Sequence, residues 1–363
     1  MSFRLLSVLF KFGHIFCATP PSLQVPKITW KRKLYNVTIF SIFVYAVLAR
    51  AARFNFHFVN HTRVKTIISL STDFCHCAQT FSVMIVLNLG KQKSWSNLLK
   101  NLKYTAKLTR VGGQRKSKLP FWVSFVVMVV VHCAISGYAM YILAKRRPDY
   151  IRDFVDHHFQ IFLDSFNKFL CCVIVNMIRT RYRNLKRGLQ ECSRKGLMSL
   201  SVLRKFQYTG RALNRTVKIY NDLFGWTFLF IIAFTLIEVL NVTEYLMTRK
   251  IHLASSEYVY VFGSMFLGIS MGTFVLIFMY DSVLREFREI LKICHGLRTL
   301  RRLSGLEELK LTEFVKFFDK NSPKFTAAGL FGVGRWTALD LVNLYINFLI
   351  VIIQITSEKY NLK

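Results

Sequence analysis

The chain has 363 residues, of which 53% are hydrophobic and 15% are aromatic, and its mean hydropathy is positive. This composition is too apolar for a typical soluble domain and indicates a membrane protein. The formal net charge of +32 does not indicate a nucleic-acid partner, because basic nucleic-acid binders concentrate their charge on a soluble domain and the sequence predicts none. The basic residues are instead interpreted as contacts with the anionic inner leaflet of a lipid bilayer.

Seven mainly apolar stretches approach the length of about 20 residues that crosses a bilayer as a helix. They lie at 34–49, 66–90, 120–144, 155–178, 223–247, 259–280 and 336–356. The fourth stretch is the least apolar, since five polar residues interrupt it: His157, His158, Asp164, Asn167 and Lys168. The predicted fold class is an all-α membrane protein with seven transmembrane helices.

The distribution of basic residues sets the predicted orientation. If the N-terminus is cytoplasmic, 38 of the 51 Lys and Arg residues lie on the inner side, as the positive-inside rule requires. The sequons at Asn60 and Asn241 then lie on the outer side, where glycosylation takes place, whereas those at Asn36 and Asn214 would be inaccessible. We therefore predict a cytoplasmic N-terminus, an extracellular C-terminus and glycosylation at Asn60 and Asn241.

The predicted connections differ between the two sides of the membrane. Outer connections are short, so an external ligand must enter between the helices. The inner stretches at 179–222 and 281–320 mix apolar residues with Lys and Arg at helical spacing. This pattern predicts long cytosolic continuations of the fourth and sixth helices, which pack together beneath the membrane.

The last apolar stretch carries four polar residues that fall on one narrow stripe of a helix. At about 100° per residue, Asn343, Asn347 and Gln354 lie within about 60° of Asp340. An unpaired polar group in hydrocarbon costs on the order of several kcal/mol, so the stripe must face water, protein or its own symmetry mates. Repeated around an axis, such a helix would line a pore. The alternative is a buried seam in which Asp340 pairs with Arg335 and the two asparagines bond to neighbouring helices.

Other protein classes lack their signatures in this sequence. The nearest approach to a metal cluster is Cys75-His76-Cys77 with His157-His158, but Cys75 and Cys77 point to different helix faces and no further ligand follows at a suitable spacing. No Gly-rich phosphate loop is present, so we predict no enzyme, no metal and no cofactor. The Asp-Arg-Tyr and Asn-Pro-x-x-Tyr motifs of G-protein-coupled receptors do not occur at their expected places. A multi-pass transporter is the first alternative function, and a receptor of the G-protein-coupled type is the second.

The C-terminal segment resembles the signature of insect gustatory receptors. That signature is a Thr-Tyr pair, five hydrophobic residues and a Gln-Phe pair at the end of the seventh helix. The corresponding residues here are Asn347-Phe348, the stretch 349–353 and Gln354-Ile355. The glutamine is retained and the other three positions differ. The preceding stretch at 327–335, Ala-Ala-Gly-Leu-Phe-Gly-Val-Gly-Arg, resembles the turn of that family into the helix.

The resemblance implies a taste chemoreceptor that acts as a ligand-gated cation channel in the plasma membrane of sensory neurons. Its cues would be bitter-type or other contact chemicals, which mediate acceptance or avoidance. A small-molecule tastant would open a homo- or heterotetramer of gustatory receptor subunits, in which the seventh helices surround the pore and Gln354 and Ile355 lie near the outer gate. The five predicted pore residues are Asp340, Asn343, Asn347, Gln354 and Ile355.

The resemblance also implies a ligand pocket among helices one to six, in the outer half of the membrane. The eight predicted ligand contacts are Asp73, His76, Tyr138, Tyr141, Phe159, Phe162, Glu238 and Tyr260. Ionisable groups inside a membrane are rare and usually functional, but Asp164 and Lys168 lie four residues apart on one helix face and are expected to neutralise each other. Each aromatic candidate has ordinary packing as its alternative role.

Five segments follow from this interpretation. They are a cytoplasmic N-terminal segment, the six helices that hold the ligand pocket, a cytosolic helical anchor region, the pore-lining seventh helix and an extracellular tail. Their predicted bounds are 1–33, 34–280, 281–335, 336–356 and 357–363.

The orientation predicts that Asn60 is glycosylated and that residues 179–222 are cytosolic. In cells that express the chain, glycosidase treatment should shift the electrophoretic mobility of the wild type more than that of Asn60→Gln. A glycosylation tag inserted within 179–222 should stay unmodified. Modification of that tag would reverse the predicted orientation.

Overall fold

The computed structural model describes residues 3–20, 29–57, 63–109, 119–146, 150–195, 199–248, 256–300 and 305–361. Within these ranges the chain forms ten α-helices, one π-helical segment and one β-hairpin. The helices are α1 (Phe3–Ile15), α2 (Trp30–His57), α3 (Arg63–Phe81), α4 (Gln92–Leu108), α5 (Leu119–Arg146), α6 (Tyr150–Arg194), α7 (Leu200–Thr248), α8 (Ser256–Leu300), α9 (Gly305–Lys320) and α10 (Arg335–Asn361). The π-helical segment Ser82–Gly90 directly continues α3, and the antiparallel hairpin strands are β1 (Thr326–Ala327) and β2 (Phe331–Gly332).

Six helical regions of the described structure are long and apolar enough to cross a membrane by length and composition. They lie within α2, α3 with its π-helical continuation, α5, α6, α7 and α8. The first six predicted spans fall on these helices, which supports an all-helical membrane protein. The seventh span stays a prediction: α10 has 27 residues, or about 40 Å of helix, against a hydrocarbon core of about 30 Å.

Three helices are much longer than the membrane is thick. α6, α7 and α8 have 45, 49 and 45 residues, which corresponds to about 70 Å each at 1.5 Å per residue. The fourth and sixth helices do continue beyond their predicted spans, α6 to Arg194 and α8 to Leu300. The cytosolic position of these continuations stays a prediction. The assignment of all of 179–222 to the fourth helix is wrong, because α7 begins at Leu200 and carries the basic, helically spaced residues of 200–222.

The central helix of the bundle is α6. Every residue from Leu170 to Val175 is buried, so protein covers this helix on all sides. Its most extensive packing is against α8. This position explains the polar residues that interrupt the fourth apolar stretch, because Asp164, Asn167 and Lys168 are buried against other helices and do not face lipid.

An ion-pair network joins the C-terminal parts of α6 and α8. Glu286 on α8 is buried, and its carboxylate oxygens lie 2.9 Å from Arg183 Nε and 2.7 Å from Lys186 Nζ. Lys186 also pairs with Glu289 at 2.5 Å. Some basic residues of these two helices therefore hold the bundle together, in addition to the bilayer contact that the sequence predicts.

The N-terminal segment contains a buried helix, α1, that the sequence analysis does not predict. Leu6, Leu9 and Phe10 are fully buried, and the Phe10 ring meets Trp95 of α4 edge to face with centroids 5.2 Å apart. Lys11 interrupts the apolar run in the sequence, but in the helix it lies on the exposed side. The segment is therefore part of the bundle's core, which a search for bilayer-length stretches does not detect.

Side chains from distant parts of the chain bond to the end of α1. Arg32 of α2 donates a hydrogen bond to the His14 carbonyl at 2.6 Å, and Asn88 of the π-helical segment donates one to the Cys17 carbonyl at 2.9 Å. The last carbonyl groups of a helix have no partner within the helix itself. The bond from Arg32 satisfies one of them, and the bond from Asn88 holds the turn that follows α1. Together they fix α1 to the membrane-spanning helices.

Side chains of α2 and α4 donate hydrogen bonds to the π-helical segment Ser82–Gly90. Asn36 Nδ2 of α2 donates to the Met84 carbonyl at 3.2 Å, and Trp95 Nε1 of α4 donates to the Leu87 carbonyl at 3.1 Å. π-Helical geometry within α-helices is rare and is frequently found at functional sites. Here the segment forms the end of the second predicted span and bonds to α2, to α4 and to the turn after α1.

The β-hairpin positions the start of α10 against α7 and α8. Phe325, just before β1, stacks on Tyr280 of α8 with ring centroids 4.6 Å apart and contacts Tyr220 of α7. The hydroxyl oxygens of Tyr220 and Tyr280 are 2.8 Å apart inside the core. A Cβ atom at Gly225 of α7 would lie 3.1 Å from the backbone nitrogen of Ala328. Glycine at position 225 therefore allows the hairpin to approach α7 closely.

Gly225→Ala is expected to destabilise the protein, because the added methyl group meets backbone atoms of the hairpin. Overpacking of this kind costs about 1–3 kcal/mol. Gly268→Ala on α8 is the matched control, since a Cβ atom there meets nothing within 4 Å. Thermal unfolding of the purified protein in detergent should show a lower midpoint for Gly225→Ala and no loss for Gly268→Ala. Equal midpoints for the two variants would contradict the close approach.

Candidate functional site

The polar stripe of α10 is exposed in the protomer. All four of its side chains have exposed surface: Asp340, Asn343, Asn347 and Gln354. Among the described residues, Asp340 forms no ion pair with Arg335, whose guanidinium instead lies over the Trp336 ring at 5.4 Å. The two asparagines form no hydrogen bond to another helix of the described protomer. The two alternatives that the sequence left open were a pair of Asp340 with Arg335 and hydrogen bonds from the asparagines to neighbouring helices. Neither is present in the described part of the single chain.

The opposite face of α10 packs against its own protomer. The hydroxyl oxygens of Tyr345 and Thr243 of α7 are 2.9 Å apart, and the Tyr345 ring contacts Phe266 of α8. Leu341 is half-buried against the main core. Relative to Asp340, Leu341 and Tyr345 lie at about 100° and about 140° around the helix. The polar stripe therefore points away from the protomer.

Two of the predicted ligand contacts meet between α3, α6 and α7. The ring of His76 on α3 is buried, and its centroid lies 4.2 Å from that of Phe234 and 5.5 Å from that of His157. His157 Nε2 lies 3.3 Å from Glu238 Oε1, and Glu238 is 2% exposed. We call this site, formed by His76, His157, Phe234 and Glu238, the His–Glu seam. A buried carboxylate is costly unless a cation or hydrogen bonds compensate it, so the contact with His157 is central to the seam.

A buried ion pair lies next to the His–Glu seam. Lys168 Nζ is 2.5 Å from Asp164 Oδ2, which confirms that these two residues neutralise each other. Gln79 Nε2 of α3 donates to Asp164 Oδ1 at 2.7 Å, and Lys168 donates to the Ile269 carbonyl of α8 at 3.0 Å. The pair thus joins three helices. Gln79 is not among the residues predicted from the sequence, although its place three residues after His76 on one helix face is the signal that would have found it.

The aromatic candidates lie on other helix faces. Phe159 and Phe162 of α6 face α1, where their ring centroids are 5.8 Å and 5.7 Å from that of Phe16. Tyr138 and Tyr141 of α5 are exposed, Tyr141 by 65% of its surface. The structure therefore does not bring these four side chains into the His–Glu seam.

The remaining predicted site residues are only partly described. Asp73 on α3 is half-buried and interacts with another residue of the chain. The side chains of Tyr260 and Ile355 lie outside the described part of the structure. Within the described part, no group of three or more His, Cys, Asp or Glu side chains could hold a metal ion.

The two predicted glycosylation sites have different surroundings. Asn60 lies outside the described residues. Asn241 lies inside α7, and Thr243 of the same sequon is buried against Tyr345 of α10. Because an attached glycan is bulky and needs a surface position, we keep Asn60 as the stronger glycosylation prediction.

Residues 3–359 match the family described as 7tm chemosensory receptor. The chain belongs to this family of chemosensory receptors. The match covers nearly the whole chain and confirms the membership that the resemblance of the last helix to gustatory receptors indicates. This chemosensory receptor is a multi-pass membrane protein and not an enzyme.

Two solved structures share the fold of this chemosensory receptor. Both are of the insect olfactory receptor OR5 from Machilis hrabei, one of them in complex with eugenol. Each is similar to this chain with a TM-score of 0.67 over 97% of both chains, at 13% identity for the complex and 14% for the other. Likeness at this identity shows the fold alone. No curated protein matches the chain by sequence.

The buried ion pair beside the seam predicts a coupled effect on stability. Asp164→Asn or Lys168→Met leaves one charge buried without its partner, which costs about 3–5 kcal/mol. The double variant removes both charges and should recover most of that loss. Thermal unfolding midpoints of the three variants in detergent give the comparison. A loss in the double variant equal to the sum of the two single losses would show that the charges do not interact.

Proposed function

We propose that this receptor is a subunit of a ligand-gated cation channel that responds to small-molecule tastants of the bitter type or to other contact chemicals. It would assemble as a homo- or heterotetramer with other gustatory receptor subunits in the plasma membrane of sensory neurons. The N-terminus would be cytoplasmic, α10 would be the seventh span, and the C-terminus would be extracellular. The observation that carries the proposal is the exposed polar stripe of α10, which faces away from its own protomer.

The physical argument for a pore starts from the cost of that stripe. In hydrocarbon, the exposed carboxylate of Asp340 and the exposed amides of Asn343 and Asn347 would destabilise a spanning helix strongly. Four copies around an axis would direct the stripes to a shared water-filled path. Amide oxygens can replace part of the hydration shell of an ion, and a ring of Asp340 carboxylates favours cations over anions. The carboxylates would also offset the repulsion that a cation meets near the basic inner region. The family resemblance adds Ile355, beside Gln354, near the outer gate.

For the ligand site we propose the His–Glu seam and its surroundings. Short outer connections leave no separate domain for a ligand, and the seam brings ionisable groups together inside the bundle, where they are rare and usually functional. His76 and Glu238 are its leading contacts, with Asp73 on the same helix as His76. The aromatic candidates on α5 and α6 are proposed only as a wider lining. The complex of the similar olfactory receptor OR5 with eugenol supports a small-molecule ligand for this chain.

Cysteine substitution along α10 tests the pore. The background should carry Cys133→Ser, since Cys133 is the only exposed cysteine of the eight. A cationic thiol reagent should block ligand-evoked current at positions 340, 343 and 347, because these side chains would line the ion path. Cysteines at Leu341 and Tyr345, which face the protomer, are the matched controls and should not react. Reaction confined to 341 and 345 would show that the stripe does not line a pore.

The charge of Asp340 gives a second readout of the same prediction. Asp340→Lys should lower cation conductance and shift the reversal potential away from the cation equilibrium potential, since four added positive charges would face the path. Glu313→Lys places the same charge change on the exposed face of α9, away from the stripe, and should leave the reversal potential unchanged. If the amount of substrate taken up is instead in fixed proportion to the charge that crosses the membrane, and no channel current is seen, the protein is a transporter.

A further inference from the structure

Two side chains at the His–Glu seam are buried without a full set of hydrogen-bond partners. Gln160 on α6 is 2% exposed, and neither the nitrogen nor the oxygen of its amide forms a hydrogen bond in the described structure. Glu238 directs Oε1 to His157, while its Oε2 is buried with no hydrogen bond. Buried polar groups in native proteins are nearly always bonded. Both groups are therefore suited to bind a molecule that is not part of the chain.

Gln160 lies one helical turn from His157, the residue that Glu238 contacts. Gln160 follows His157 by three residues on α6, which is about 4.5 Å along the helix axis, and lies within about 60° of it around the helix. It also falls between two contacts of α3 with α6, namely His76 with His157 and Gln79 with Asp164. Because Glu238 contacts His157 directly, the carboxylate and the amide lie at neighbouring depths in the bundle.

The charge of the seam favours a cation. His157 is charged only when it is protonated, so it does not supply a permanent positive charge to Glu238. Among the described side chains of α6, the nearest Lys or Arg is Lys168, about 16 Å along the axis from His157, and it already pairs with Asp164. An ammonium group at Glu238 Oε2 would supply both the missing charge and a strong hydrogen bond. The Phe234 ring at the seam is also favourable for a bound cation.

We propose that the His–Glu seam binds an organic ammonium ion that also carries a hydroxyl or carbonyl group. The ammonium donates a hydrogen bond to Glu238 Oε2, and the second polar group bonds to Gln160, whose amide can both donate and accept. A neutral or singly polar ligand is discriminated against because it leaves one of these buried groups without a partner. The inference rests on the proposed function, since it names the chemical class of ligand that opens the channel.

Equilibrium binding to the full-length protein in lipid nanodiscs, with matched probes, tests this ligand class. Tyramine carries both an ammonium and a hydroxyl group, 4-propylphenol has a methyl group in place of the ammonium, and 2-phenylethylamine lacks the hydroxyl. Ethanolamine and 1-propanol repeat the first comparison for a smaller ligand. We expect each hydroxylated ammonium probe to bind at least about tenfold more tightly than its neutral analogue, which corresponds to about 1.4 kcal/mol.

Variants assign each preference to one side chain. Glu238→Gln should abolish the preference for ammonium over neutral probes, and Gln160→Leu should abolish the preference for tyramine over 2-phenylethylamine. Glu289→Gln on α8 and Gln190→Leu on α6 make the same chemical changes away from the seam and should keep both preferences. Equal affinities for the charged and neutral members of both pairs would overturn the proposal. Failure of both tyramine and ethanolamine to bind would also overturn it.

The unfolding midpoint of the ligand-free protein gives a readout that does not depend on finding a ligand. Gln160→Leu should keep or raise the midpoint, because the amide has no bond to lose. A lower midpoint would show that ordered water or another residue already bonds the amide, and would also overturn the proposal. If only neutral compounds evoke current, the protein is a channel but the proposed ligand class is wrong. If ammonium probes bind but evoke no current in any subunit combination, the proposed ligand site stands and the proposed channel function is wrong.

Discussion

Hydrocarbon offers no hydrogen bonds, so each polar group at membrane depth must find its partner within the protein, in water or in another subunit. The chain meets this constraint in different ways at different places. Asp164 and Lys168 pair with each other and with groups on α3 and α8. The end of α1 is bonded by side chains from α2 and the π-helical segment. On α10, Asp340, Asn343 and Asn347 are the exception, because their side chains are exposed in the single chain, and this exposure is the observation from which the proposed assembly starts.

The position of α6 allows one helix to serve several of these contacts at once. One of its faces carries His157, Asp164 and Lys168 towards α3, α7 and α8. Another face packs Phe159 and Phe162 against α1. Farther along, the same helix joins α8 through the network around Glu286. A change of packing at the His–Glu seam would therefore act on a helix that contacts several neighbours. Such a change is transmitted to the other helices more readily than it is absorbed locally.

The seam and the proposed pore are connected through α7. Glu238 contacts His157 of the seam, and Thr243, five residues later on α7, contacts Tyr345 of α10. Five residues correspond to about 7.5 Å of helix. The start of α10 is held by the hairpin through Phe325 and the close approach at Gly225, whereas most of its middle is exposed in the protomer. A helix held at its start and by few contacts beyond it is suited to change position when α7 shifts.

The sequence by itself determined the membrane class, the six helical stretches long enough to span a bilayer, the helical continuations of the fourth and sixth and the stripe on the last helix, because these depend on apolar length and helical period, which are local properties of the chain. It also predicted the pairing of Asp164 with Lys168, since four residues on one helix fix their separation. Only the tertiary structure decided that α1 is buried, that α6 is central, and that Gln79, Gln160 and Phe234 lie around the seam while Phe159 and Phe162 do not. Which face of a helix meets which neighbour depends on how ten helices pack together, and the helical period gives the faces of one helix without saying what lies against them.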